Sequence, residues 1–287
     1  MILLNPLLFF GFGLVIGSFL NVVILRYDPD RSIFSLVPIG GRSHCMSCGK
    51  NLSLYELIPL FSFLIQRGKC RGCGNRLSRQ YPTVEFLAGL IFLTPFYFYN
   101  PAFESGPSLA TGFFWTFIFL VFLVLSAIDY RLYMIPDELN ILIAASGATR
   151  IFFENRYGYF SEFSGSFLQG YSALFGLRSD IWLNHLAGGV FGFFLIGTLI
   201  LATKGKGMGI GDLKLMAALV ILFGWPDALF LLSFGFIFGA VAGVFLMAFG
   251  RKGMKDSVPF GPFLVLGSIA MVFFGDAVLD WYFSLII

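Results

Sequence analysis

Charged residues are scarce in this chain. Only 12% of its 287 residues are Asp, Glu, Lys or Arg, about half of the roughly 25% typical of soluble domains. That scarcity, with 57% hydrophobic residues and 38 phenylalanines, excludes an ordinary soluble globular domain. Histidine is nearly missing: there are two residues, His44 beside a cysteine and His185 at a helix edge, read as a bystander and as a packing or capping residue. No G-x-G-x-x-G strand-turn-helix nucleotide site is present. The first apolar segment has neither a basic start nor an A-x-A site, so the sequence does not read as a cleaved signal peptide. Repeats and low-complexity tracts are also lacking. A net charge of only +3, with basic residues at the ends of apolar runs, argues against a nucleic-acid partner. Anionic lipid headgroups account for these residues more simply.

What the chain has instead is long apolar runs. A bilayer core needs about 20 apolar residues per helix, and candidate spans fall at 7–25, 83–99, 111–128, 139–153, 183–203, 213–224, 228–249 and 260–280. The fourth and sixth are short, so they are completed by their flanks or only partly embedded. The sequence therefore predicts an all-α polytopic membrane protein with about eight transmembrane helices. It divides into a first helix (1–25), a cytoplasmic insert (26–82) and a transmembrane core (83–287). Eight spans gather sixteen of the nineteen basic residues on one side and leave Arg150, Arg156 and Arg178 on the other. Lysine and arginine mark the cytoplasmic face, which becomes the face of the insert. The stretch from Glu154 to Trp182, rich in Gly, Ser and Phe, is expected along the opposite interface.

The insert holds all four cysteines, Cys45, Cys48, Cys70 and Cys73. Each pair is C-x-x-C followed by a glycine, Gly49 or Gly74. Two intervening residues let both thiolates reach one ion, and the glycine allows the tight turn. Four thiolates suit a tetrahedral structural zinc, and a metal would supply folding energy that so small a core cannot. Disulfides are the alternative, disfavoured on a reducing face.

Two carboxylates stand out near the spans. Asp129 closes the third span in SAIDYRLYMIPDELN, and Asp212 lies in GIGDLK. Both belong at the cytoplasmic edge, on different helices, where they could face each other across a small gap. Such a pair shares a proton, one member activating water while the other polarises a scissile carbonyl. Gly209 and Gly211 suit a place where substrate backbone comes close, and Lys214 could tune charge or contact a substrate carbonyl. Plainer readings stay open: an N-cap for Asp212, and an interfacial partner of Arg131 for Asp129. Asp137 reads as the N-cap of the fourth helix, and Glu85 as a cap or a polar contact at the start of the second. Pro259 and Pro262, flanking Gly261, would break the last helix near the depth of the two acids. A transporter also keeps acids among its helices, but these two sit at one edge rather than at the midplane.

Taken together, GSFLNVVILR, HCMSC…LYELIPLFSFL…GKCRGCGNRLSRQYPTVE, AIDYRLYMIPDELN, GIGDLK and VPFGPFLVLG resemble the type IV prepilin peptidases, bifunctional leader peptidase/N-methyltransferases of the GxGD aspartic protease type. The likeness covers nearly the whole chain. It implies that Asp129 and Asp212 are the catalytic pair, and that the enzyme sits in the bacterial inner membrane with its site facing the cytoplasm. It further implies cleavage of the leader of prepilins or pseudopilins of type IV pili or type II secretion. The new N-terminal amine is then methylated from S-adenosylmethionine. Met46 stands where the family usually has proline, which leaves the four thiolates intact. The full-length insert favours retained methylation; no residue marks the methyl-donor pocket.

Overall fold

The computed structural model describes residues 5–33, 41–98, 106–157, 181–205, 208–225, 227–250, 253 and 257–284. Among these residues the only strand-like pairings are two isolated bridges, His44 with Asn51 and Lys69 with Arg76. All other regular structure is helical. The helices are α1 (Pro6–Arg26), a 3-10 turn (Leu54–Leu57), α2 (Phe61–Ile65), α3 (Gln80–Ile91), α4 (Thr94–Phe98), α5 (Gly106–Leu132), α6 (Asp137–Tyr157), α7 (Ile181–Thr203), α8 (Ile210–Phe223), α9 (Asp227–Ala248) and α10 (Gly261–Ser284).

Among the described residues, five stretches are long and apolar enough to cross a membrane: Pro6–Arg26, Gln80–Phe98, Leu109–Leu132, His185–Thr203 and Asp227–Ala248. The three other expected spans fall on α6, α8 and α10. Of the two short ones, 139–153 is completed by its flanks into the 21-residue α6. The other, α8, has 14 residues and so a length of about 21 Å, short of a bilayer core of about 30 Å. Large apolar side chains such as Phe194, Leu201 and Val244 are exposed on α7 and α9, as helices facing lipid require. Residues 158–180 of the predicted interfacial stretch lie outside the described residues, as do Lys206, Arg251, Lys252 and Lys255.

The chain forms two compact units, residues 1–124 and 125–287. In the first, α1 packs along α3, and small residues set the approach. A Cβ on Gly17 would lie 2.7 Å from the Glu85 Cα, so only glycine lets the two backbones come this near. Residues 41–80 of the insert between these helices have almost no core of their own. Of residues 41–80, only Cys45, Glu56 and Cys70 are buried, while Leu54, Tyr55, Phe61, Leu64 and Ile65 stand exposed.

In the second unit α8 packs against both α6 and α7, and α9 pairs with α10. A Cβ on Gly147 of α6 would sit 2.8 Å from the Ile221 backbone. The last carbonyls of a helix have no partner within it, and those of α8 are met by side chains from its neighbours. Arg150 Nη1 donates to Leu222 O at 3.0 Å, and His185 Nδ1 lies 2.9 Å from Ile221 O. Both side chains are buried. His185 is thus the capping residue the sequence suggests. These contacts fix the far end of α8, and its near end carries Asp212.

Candidate active site and cysteine centre

Asp129 lies in the last turn of α5 and Asp212 in the first turn of α8, within the second unit. Asp129 is buried, and its Oδ2 accepts the Gly261 N–H at 3.0 Å. This is one of the unpaired amides at the start of α10. Asp129 thus has a backbone partner that its neighbourhood in the sequence does not suggest. Asp212 is half-buried, and its Oδ2 accepts the Gly209 N–H at 2.9 Å. It does not precede the helix as an N-cap; it is the third helical residue, reaching back to the amide of Gly209, which occupies the N-cap position.

Ile135, between α5 and α6, ties the pieces together. An added Cβ on Gly211 would touch it at 3.5 Å, and one on Gly261 at 3.3 Å. Asp212 is near enough for its charge to act on Asp129. The two carboxylates thus lie near each other at one end of the second unit, each held by a backbone amide. Asp129 is enclosed, and Asp212 is half-buried.

Gly209 and Gly211 frame the open side. Neither has a positive φ, and a Cβ on Gly209 or Gly211 would meet nothing in the protein closer than 3.5 Å. Lys214, the next basic residue, does not point at either acid. Its Nζ donates to both oxygens of Asp137, at 2.8 and 2.7 Å. Asp137 is accordingly the first residue of α6 held in an ion pair, not the helix cap its position after Pro136 suggests.

In the first unit the four cysteines converge. The sulfurs of Cys45, Cys48, Cys70 and Cys73 all lie within 4.8 Å of one another, with Cys45 and Cys73 at 4.0 Å. A tetrahedral zinc with bonds of about 2.3 Å sets its sulfurs about 3.8 Å apart, so the donor set fits that ion closely. The two halves repeat one design. Gly49 N–H donates to Cys45 O and Gly74 N–H to Cys70 O, each at 2.9 Å. Gly49 (φ 70) and Gly74 (φ 72) adopt the left-handed conformation that glycine takes without penalty.

Electrostatics point the same way. The Ser47 and Cys48 amides pull the Cys45 thiol down to about 6. Cys73, despite an Asn75 amide that favours its thiolate, is pushed up to about 11 by partial desolvation and the neighbouring sulfurs. Four sulfurs this close cannot all ionise without a cation among them. Nearby, the Ser53 amide and hydroxyl, followed by Lys50, hold Glu56 down to about 2. His44 is exposed, with Nδ1 3.2 Å from Arg42 O, outside the sulfur cluster. Glu85, buried, accepts the Leu60 N–H at 2.8 Å.

Residues 12–99 match the bacterial peptidase A24 N-terminal domain, and residues 115–244 match the type IV leader peptidase family. The chain belongs to that family. It is 31% identical to a prepilin leader peptidase/N-methyltransferase of Aeromonas salmonicida, over 98% of this chain and 94% of that protein. It is 28% identical to one of Bacillus subtilis, over 96% of this chain and 97% of that protein. No solved structure matches it. Both aspartates fall within the leader peptidase match, and all four cysteines within the N-terminal one.

Sequence reasoning missed the Gly261 amide as the holder of Asp129, and Asp137 as the partner of Lys214. The first had a visible signal. Pro259 and Pro262 lack N–H groups, so few amides at this helix start are able to donate, and a glycine between prolines brings its amide closest.

Proposed function

We propose that this chain cleaves the leader of prepilin or pseudopilin subunits and methylates the amine that cleavage exposes. Asp129 and Asp212 act as the catalytic pair. The observation that carries this reading is their nearness at one end of the second unit, each held by a backbone amide, inside the region matching the leader peptidase family.

The chemistry follows from the pair. One carboxylate takes a proton from water as its oxygen attacks the scissile carbonyl. The other, protonated, donates to the carbonyl oxygen. Collapse breaks the C–N bond, leaves a carboxylate on the leader and delivers a proton to the new amine. Neither Gly209 nor Gly211 is required by the protein's own packing or backbone conformation. The demand for small residues falls instead on an extended substrate passing Asp212.

In this reading about eight helices cross the bacterial inner membrane, and the acids face the cytoplasm with the insert. A zinc ion held by Cys45, Cys48, Cys70 and Cys73 replaces the apolar core the insert lacks. S-adenosylmethionine supplies the methyl group. The test is cleavage of a synthetic prepilin by purified protein. Asp129→Asn and Asp212→Asn should each abolish cleavage while the protein still inserts into the membrane. An ordinary cleavage rate in either variant would show that the pair is misassigned.

A further inference from the structure

A cavity of about 340 Å³ lies within the first unit, at the lower end of the range for small-molecule sites, about 300–1,000 Å³. The C-terminal end of α1 and the N-terminal end of α3 close it on one side, and the two cysteine turns close it on the other. Its wall is mixed. Leu25, Phe63 and Leu77 give apolar surface, and Arg26 and Arg76 bring positive charge. Glu85 lines it as well.

Glu85 is the informative residue. It is 6% exposed, and it accepts hydrogen bonds from the Leu60 amide and the Ser18 side chain. Among the described residues no cation forms an ion pair with it. Enclosing a carboxylate away from water without a cation is expensive. A cavity lined by such a group suits a positively charged ligand, and the apolar and guanidinium surfaces beside it suit a flat ring and a carboxylate.

We propose that this cavity is the methyl-donor site, with Glu85 as the counter-charge to the donor's sulfonium and Arg26 and Arg76 serving its carboxylate end. The proposal rests on the methyltransferase half of the reading above. When bound, the donor supplies an electrophilic methyl group; Glu85 selects the charged donor over its spent form, S-adenosylhomocysteine, which lacks the transferred methyl and with it the positive charge.

The test is equilibrium binding of radiolabelled S-adenosylmethionine and S-adenosylhomocysteine to the full chain in nanodiscs. The wild type should prefer the sulfonium. Glu85→Gln, which keeps an acceptor for the Leu60 amide, should weaken S-adenosylmethionine binding about ten-fold or more and erase the preference. A second measurement needs no variant: the donor should slow hydrogen exchange in wild-type peptides spanning residues 43–52 and 75–85. Unaltered donor affinity in Glu85→Gln would reduce Glu85 to a latch on the Leu60 turn and overturn the proposal. Protection confined to other segments would overturn it as well. A wild type that neither binds the donor nor methylates pilin would defeat the methyltransferase reading itself, whatever the cleavage assay gave.

Discussion

Replacing Gly261 by alanine tests the geometry of the acid pair without touching either acid. The added Cβ would lie 2.6 Å from Asp129 Oδ2, 3.3 Å from its Cγ and 3.3 Å from Ile135 Cδ1. Restoring an ordinary contact moves the carboxylate by about 0.8 Å, and a misplacement of about 1 Å at a reacting group lowers the rate about 100-fold. The same movement stretches the 3.0 Å bond from the Gly261 amide, worth about 1.5–3 kcal/mol as a hydrogen bond to a charged group. Helix formation itself does not suffer, since alanine is the better helix former. Steady-state cleavage of a prepilin peptide should therefore show kcat reduced about 100-fold with little change in KM. Gly243→Ala, at a helical glycine with open space around it, is the control and should cleave normally. A Gly261→Ala enzyme within about threefold of wild type would refute the claim that this amide and this contact set the position of Asp129.

Further outcomes follow from the same contacts. Cys45→Ser should lower bound zinc well below one ion per chain and unfold the insert; elemental analysis of the wild type finding no zinc would refute the metal. Arg150→Met leaves Leu222 O without its donor and should destabilise the second unit by about 1–3 kcal/mol, seen as a lower melting temperature. Glu56, held at about 2 against an ordinary 4.5, stabilises the insert above about pH 4.5 and loses that contribution as pH falls toward 2. Glu56→Gln should therefore speed hydrogen exchange across residues 53–57 at neutral pH, and its difference from wild type should close over that acid range.

What was legible in the sequence and what was not divides along a physical line. Spans, the paired cysteine turns and the two aspartates are written in residue type and spacing, which is what hydropathy, metal-ligand geometry and charge scarcity read. Apolar runs placed the expected spans on helices, with 83–99 divided between α3 and α4, even where α8 proved too short to cross alone. The C-x-x-C-G pattern located Gly49 and Gly74 at the left-handed positions they occupy, because only local conformation was at stake. Apart from Asp212, which sits two residues inside the helix that its sequence setting suggests it caps, the misses are contacts between elements far apart in the chain. Asp137 after Pro136 has the local signature of a cap, yet Lys214, 77 residues on, takes both of its oxygens. Asp129 beside Arg131 has the local signature of an ion pair, yet Gly261 donates to it from 132 residues away. Local rules predict the partner a side chain finds when nothing better is near. In a chain this poor in charge, each polar group buried among apolar helices leaves few neighbours to choose from, and the backbone amide of a helix start becomes the better partner. Finding such a partner from sequence means asking which helix starts lack competing donors. The Pro-Phe-Gly-Pro start of α10 satisfies that condition, because its prolines cannot donate and its glycine lets a carboxylate approach the amide that remains.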